Sequence, residues 1–396
     1  VIVIVNELSY EIPDLSIVDE LNFVLSQALH FDLSDMEACR DKMIQDIGLE
    51  NFRIVRFRKK ILGGLAIYPM GQWFGGKSVR KAGIAWVGVR PEFRFKGVAS
   101  FLFLNMFNEL RDHYPISMLY PSNLQFYRKM GYDKGGSRFG YEISCRNLGS
   151  WPETKDMDME PADLSDWRIF EQMYDEMAST CNGYLQRSPL LWKRKLSSRG
   201  KTLLAYIVKD CGTEAGYIIY RQPLQREPLN IVDVCALNVN AGRRIMTFIQ
   251  GHWPLTSRVT WFGGANDLFF QMIPNREAII SSSYEWLLRI LDVRMAIEAR
   301  GYPPGFELGF SLEVADDLIK ENNGKYHVEI SGGRASVSEA LHADLVIDMR
   351  GFASLYTGYL SPWDLYRLGH LKGKPGGLDN LSGVFSSYVP GTPDIY

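Results

Sequence analysis

The chain lacks most of what marks specialised protein classes. Its 396 residues hold five cysteines, Cys39, Cys145, Cys181, Cys211 and Cys235, odd in number and never two residues apart. That pattern excludes a disulfide framework and a cysteine-built zinc site, and it fits a reducing, cytoplasmic compartment. The six histidines include no pair four residues apart, so no metal is expected. No apolar run reaches membrane-spanning length, and Val1–Val5 is too short and too uncharged for a signal peptide, so no membrane partner is expected. Lys and Arg number 44 against 46 Asp and Glu, a formal net charge of −2. Nucleic acid is therefore not an expected partner, and the one basic cluster, Arg56-Phe57-Arg58-Lys59-Lys60, reads as a hairpin turn. What remains is an ordinary soluble composition, 46% hydrophobic and 23% charged, in a chain long enough for two or three domains with cores of their own.

The informative segment is residues 82–100, AGIAWVGVRPEFRFKGVAS, where a buried-strand run passes directly into a basic, glycine-containing turn that opens an apolar helix. A strand feeding a helix start leaves successive backbone N–H groups unpaired and aimed at one point, where the helix dipole adds positive charge. A pyrophosphate fits there. Arg94 and Lys96 bring full charges to the turn, and Gly97 lets the backbone approach a ligand without a Cβ in the way. The spacing Arg-x-x-Gly-x-Ala is neither the G-x-G-x-x-G of a dinucleotide fold nor the loop of a nucleotide triphosphatase.

A second segment, Pro121–Tyr132 (PSNLQFYRKMGY), follows an apolar helix expected over 98–112 and a short strand over 116–120. It places Tyr127 at the start of a short helix. A phenol with a pKa of about 10 can donate a proton to a leaving thiolate of similar basicity, which makes Tyr127 a candidate general acid. Packing between helix and sheet is the alternative role for that ring.

Helical spacing recurs over 14–30 and 36–47, followed by strand-like runs at 52–57, 61–68 and 79–90, giving the order β-α-α-β-β-β-α-β-α-β. A strand near 138–145 closes this unit, and Asn147–Pro152 reads as a linker. The pattern then repeats: helices at 163–180 and 188–197, strands at 202–209, 215–221 and 230–239, a helix at 241–251 and a strand at 256–262. Its strand-to-helix junction, Leu237–Arg244, lacks the Arg-x-x-Gly-x-Ala spacing, which points to a duplicated module without the anion loop. From Ser283 onward we expect a helix carrying Trp286, Leu287, Ile290, Leu291, Met295 and Ile297, then short strands at 306–313, 325–331, 334–337 and 345–349. Late helices would cover that small antiparallel sheet.

Residues 82–100 resemble the acetyl-coenzyme A loop of the GNAT superfamily of N-acetyltransferases, and Pro121–Tyr132 resembles that superfamily's end of the fifth strand and tyrosine-bearing helix. An intact GNAT domain, a degenerate one and a tail of this kind together resemble the Eis family, whose tail is similar to a sterol carrier protein. The resemblance implies an α/β (α+β) fold of tandem GNAT domains with mixed sheets plus a sterol-carrier-protein-like α+β domain, with divisions at 1–150, 151–283 and 284–396. Phe95 departs from it, standing where the family often has another basic residue.

The activity so implied is transfer of acetyl from acetyl-CoA to a primary amine, aminoglycoside-, polyamine- or lysine-like, by direct attack in a ternary complex. Val87 and Val89 would pair with pantetheine, Arg94, Phe95, Lys96, Gly97, Val98 and Ala99 would hold the pyrophosphate, and Ser122 would border the cofactor. Tyr127 would be the general acid. The family also implies that the α-carboxylate of the last residue, Tyr396, accepts the amine's proton, with Pro390 and Pro393 stiffening the approach. Phe31, Asp32, Asp35, Trp73, Phe74 and Trp86 are expected to line the amine pocket, although Asp32 and Asp35 also suit a helix cap. A hexamer is implied by the family, and composition gives it no independent support. Two other readings fit the residues: a tandem GNAT moving a longer acyl or aminoacyl group, and a non-enzymatic protein that binds CoA or lipid.

Overall fold

The computed structural model describes residues 7–197, 200–224, 227–274, 277–385 and 389–396. The first unit contains β1 (Leu8–Glu11), α1 (Val18–Leu29), α2 (Met36–Asp41), β2 (Phe52–Phe57), β3 (Lys60–Phe74), β4 (Lys77–Val89), α3 (Val98–Leu110), β5 (Ile116–Leu119), α4 (Leu124–Lys129) and β6 (Asp133–Ser144). The second contains β7 (Met159–Pro161), α5 (Arg168–Ser179), β8 (Leu185–Gln186), α6 (Pro189–Lys195), β9 (Leu203–Asp210), β10 (Thr213–Arg221), β11 (Leu229–Ala236), α7 (Val239–Gln250), β12 (Arg258–Gly263), α8 (Leu268–Gln271) and β13 (Ile279–Ile290). The third contains α9 (Val293–Ala299), β14 (Leu308–Ala315), β15 (Gly324–Ser331), β16 (Arg334–Glu339), β17 (Leu345–Asp348), α10 (Met349–Thr357), α11 (Pro362–Arg367), β18 (Leu371–Lys372) and α12 (Pro375–Phe385).

The two GNAT-like units share one sheet, in the order β1-β2-β3-β4-β5-β13-β6-β12-β11-β10-β9-β7. The order is pseudo-symmetric because the units exchange their last strands. β13 pairs with β5 of the first unit, Leu287 opposite Leu119, and β6 pairs with β12 of the second, Tyr141 opposite Trp261. Residue 283, the boundary expected from sequence, falls inside β13.

This strand corrects one expectation, since Trp286–Ile290 is extended and helix begins only at Val293. Trp286, Leu287, Leu288, Arg289 and Ile290 are buried on both faces of the sheet. A strand covered on both sides reads as a continuous apolar run without period two, which periodicity cannot separate from a buried helix. The small C-terminal sheet, β16-β15-β14-β17-β18, is also not purely antiparallel as expected, because β14 and β17 run parallel. Alternation identifies strands and says nothing of their direction.

The sheet is covered on both faces. One first-unit core joins α3 to the sheet through Phe103, Phe107, Leu119 and Tyr132. The other runs from α1 through Tyr68 and Met118 into the third unit at Phe352 and Tyr356, fusing the two units. At the tip of the β3–β4 hairpin a Cβ on Gly75 would come within 2.1 Å of the Gly301 carbonyl oxygen, so that close approach demands glycine.

Candidate active site

β4 and β5 pair in parallel from Lys81 opposite Ile116 to Ile84 opposite Leu119, and there β5 ends. β4 continues to Val89 with β3 on one side only, so its other edge carries no ladder partner over 85–89 among the described residues. Trp86 adopts φ 56°, and the register with β3 shifts between Gly64 and Ala66. This bulge turns the strand end outward and presents backbone groups at Val87 and Val89, both half-buried. An extended chain bearing amides can pair with that edge.

The following turn carries the segment expected to hold an anion. Gly97, at φ 86°, is the N-cap of α3 and supplies no side-chain cap. The first intrahelical bond is Phe101 N–H to the Gly97 carbonyl at 2.9 Å, which leaves the N–H groups of Val98, Ala99 and Ser100 without an intrahelical acceptor. Around them, Arg94 is exposed and donates to the Ala28 carbonyl at 3.2 Å, and the Lys96 ammonium sits 5.2 Å from the centre of the Phe93 ring. Phe95, at φ 61°, is fully exposed. Val98 is buried, Ala99 half-buried and Ser122 exposed.

α4 is set by Asn123, whose Oδ1 accepts the Phe126 N–H at 3.1 Å. That cap turns Tyr127 inward, onto Phe103 at 5.7 Å and Tyr132 at 6.1 Å between ring centres. Burial pushes the Tyr127 phenol up to about 12, against a smaller opposing effect of its hydrogen bond to the Ser122 side chain. The group stays protonated at neutral pH and can serve as a donor, not as a base.

The chain end reaches the same strands from the other face. Tyr127 lies in the cluster with Ala82, Ile84 and Leu119, and Tyr396 in the cluster with Tyr68, Met70 and Met118. The Tyr396 hydroxyl donates to the Met118 carbonyl at 2.8 Å, and its ring packs against Gly83 and 5.6 Å from Tyr68. Below the ring the fully buried Lys81 ammonium lies 5.1 Å from its centre and 2.9 Å from Met118 Sδ. Burial drives the Lys81 pKa down, with Asp394 opposing in part.

The approach to Tyr396 is stitched down along its length. The Thr392 N–H donates to the Ser137 carbonyl at 3.1 Å, Arg138 Nε to the Pro393 carbonyl at 3.1 Å and the Tyr120 hydroxyl to the Asp394 carbonyl at 2.7 Å. The Asp394 carboxylate accepts from Arg187 Nε at 3.0 Å, Lys195 Nζ at 2.7 Å and the Tyr174 hydroxyl at 3.1 Å. Arg187 is closed on its other side by Asp233 at 2.6 and 2.8 Å. Sequence reasoning missed this cluster, whose members are ordinary charged residues far apart in the chain.

Comparison with known proteins gives the family of each unit. Residues 17–135 and 183–290 each match an acetyltransferase (GNAT) domain family, and residues 293–393 match a sterol carrier protein domain family. A crystal structure of a GCN5-related N-acetyltransferase from Anabaena variabilis superposes with a TM-score of 0.93 at 35% identity, over 98% of this chain and 100% of that one. The chain belongs to the GCN5-related N-acetyltransferases. An uncharacterized N-acetyltransferase from Streptomyces griseus is 26% identical over 81% of this acetyltransferase and 83% of its own length. Eis1 from Mycobacterium abscessus, 19% identical, has the same three-part fold, with a TM-score of 0.78 over 98% of this chain and 100% of that one. The protein is therefore an acyltransferase with an Eis-like architecture.

The acetyltransferase brings some of the expected amine-pocket residues together and separates others. Phe31 stands edge-on to Trp86 at 5.2 Å, with Phe52 behind at 6.0 Å. The Lys42 ammonium lies over Trp86 at 5.4 Å, so this ring already accepts a cation on its face. Asp32 is a cap: its carboxylate accepts the Ser34 N–H at 2.9 Å and starts the turn before α2. Asp35 is exposed and makes no side-chain cap at the start of α2. Trp73 and Phe74 lie at the hairpin tip, the opposite end from Trp86. Phe74 is fully buried 5.4 Å from Tyr356, and Trp73 packs with the second unit's core, so their rings are structural.

Proposed function

We propose that this acetyltransferase moves an acetyl group from acetyl-CoA to a primary amine by direct attack in a ternary complex. The observation carrying the proposal is the unpaired edge of β4 running straight into the uncapped N-terminus of α3, with Tyr127 on one face and the chain end on the other. The pantetheine amides would pair with Val87 and Val89, and the pyrophosphate would take the N–H groups of Val98–Ser100 with Arg94 and Lys96 beside it. A backbone N–H near Val87 would polarise the thioester oxygen.

In the reaction the amine nitrogen attacks the carbonyl carbon and the carbon–sulfur bond breaks. One ammonium proton passes to the Tyr396 α-carboxylate, directly or through water, before the neutral nitrogen attacks. The tetrahedral nitrogen then loses its second proton to water while Tyr127 donates its phenolic proton toward the leaving thiolate and is reprotonated from solvent. The raised Tyr127 pKa favours a strong hydrogen bond over early proton loss, and a thiolate expelled into the same dry surroundings gains basicity to match. No cysteine acyl carrier is required. The acceptor is a primary amine of the polyamine, aminoglycoside or lysine class, whose carbon skeleton would pack on the Trp86 and Phe31 rings. A thiol-release assay of the full chain with acetyl-CoA and a panel of those amines is the test. No release with any amine, while CoA binds, would refute the reading.

A further inference from the structure

The second unit repeats the strand opening of the first. β11 and β12 pair in parallel only at Leu229 opposite Val259 and Asn230 opposite Thr260, so the β11 edge facing β12 is unpaired over 231–236 among the described residues. Those residues span about 20 Å of strand. Between the strands lies a cavity of about 700 Å³, well within the size of a small-molecule site.

Its chemistry differs from that of the first unit in three ways. Asn238 caps α7, its Oδ1 accepting the Ala241 N–H at 2.9 Å while its Nδ2 donates to the Asp210 carboxylate at 3.1 Å. The helix start that would take a phosphate is thus closed by a side chain and faced by an anion. No Lys or Arg lines the cavity among the described residues. Along α8, capped by Asp267 as α4 is by Asn123, Gln271 holds the place that Tyr127 holds in the first unit. The walls are largely apolar, including Ile231, Val234, Phe262 and Leu268. The two carboxylates in the lining are already engaged, Asp233 by Arg187 and Asp267 by the Trp261 and Phe270 N–H groups, and the unpartnered, buried Nδ2 of Asn182 stands at one side.

We propose that this cavity is a second binding site, for an uncharged, chain-like molecule whose secondary amides pair with the open edge of β11 and whose hydrocarbon part fills the apolar walls. The site takes no phosphate and performs no acyl transfer. Its occupant lies against Val389, Gly391 and Pro393 of the C-terminal segment.

The test is calorimetry on the full chain with N-octanoylglycinamide, with and without saturating CoA. Binding that CoA leaves unchanged is the expected result, with affinity reduced about tenfold or more by Val234→Trp, which fills the cavity, and by Leu268→Arg, which puts a charge at its lip. Leu268 is 62% exposed, so its variant keeps the fold even where Val234→Trp does not. No heat at millimolar probe, displacement of the probe by CoA, or equal affinity in the Leu268→Arg variant each overturns the proposal. The amine assay above is independent of all three.

Discussion

Asp394→Asn tests whether the buried charge cluster holds the C-terminal segment to which the proposed mechanism assigns the base. In the folded protein Arg187 and Lys195 supply two positive charges, and Asp233 and Asp394 two negative ones, all within 3.3 Å contacts and nearly shut off from water. Asparagine keeps the shape and leaves one uncompensated buried cation. Breaking a buried pair in this way costs roughly 3–5 kcal/mol. Since about 1.4 kcal/mol is tenfold, docking of the last residues weakens by roughly two to nearly four powers of ten. The loss falls on the tail first, because Arg187 keeps its two bonds to Asp233 while the Asp394 side chain is the tail's own anchor.

The expected outcome is faster carboxypeptidase release of Tyr396 and a fall in kcat larger than any change in KM for acetyl-CoA. The sign with pH is fixed. Arg187 and Lys195 outweigh desolvation and hold the Asp394 carboxyl below the ordinary carboxylate range. Its stabilisation is fully present above about pH 4 and is lost as pH falls through the folded value, so the wild-type advantage is flat near neutrality and closes only in acid. An unchanged kcat together with unchanged release of Tyr396 would refute the anchoring argument.

Tyr127→Phe should lower kcat about a hundredfold with little change in CoA affinity by calorimetry, and wild-type turnover would remove this phenol from the mechanism. Arg94→Ala should weaken CoA binding, as should Gly97→Ala, whose φ of 86° costs a side chain about 1–2 kcal/mol; unchanged CoA affinity in both would count against the loop. Removing Tyr396 should abolish turnover while CoA still binds, since the proposed cofactor contacts lie on β4 and α3. Burial raises Asp267 from its ordinary 3.8 to about 6, outweighing its hydrogen bonds, so the folded state holds this proton more tightly than the unfolded chain. Stability should therefore fall as pH rises from about 4 to about 6 and then level off, and Asp267→Asn should flatten that slope in urea titrations.

The strand, turn and helix of the proposed cofactor end are legible because they are contiguous: strand, basic turn, glycine and helix follow one another within residues 82–100, and each constraint is local. The short helix carrying Tyr127 is legible for the same reason. The anchor of the chain end is not, since Tyr174, Arg187, Lys195, Asp233 and Asp394 meet only through tertiary packing, and isolated charges in a sequence look solvated. Trp73 and Phe74 look like pocket aromatics by type, yet the hairpin tip carries them into contact with the other units. Asp32 shows the opposite case, where the local rule for caps predicts the observed bond.

The exchange of β6 and β13 bears on how the chain is made. Leu119 meets its partner Leu287 about 170 residues later, which makes the pairing as non-local as a slow-folding β topology. At a synthesis rate of roughly 5–20 residues per second, β5 waits on the order of ten seconds or more beside an open strand edge before β13 emerges. The nascent first half is therefore a natural client for a holding chaperone, and expression of that half alone should yield aggregates rather than a small soluble enzyme.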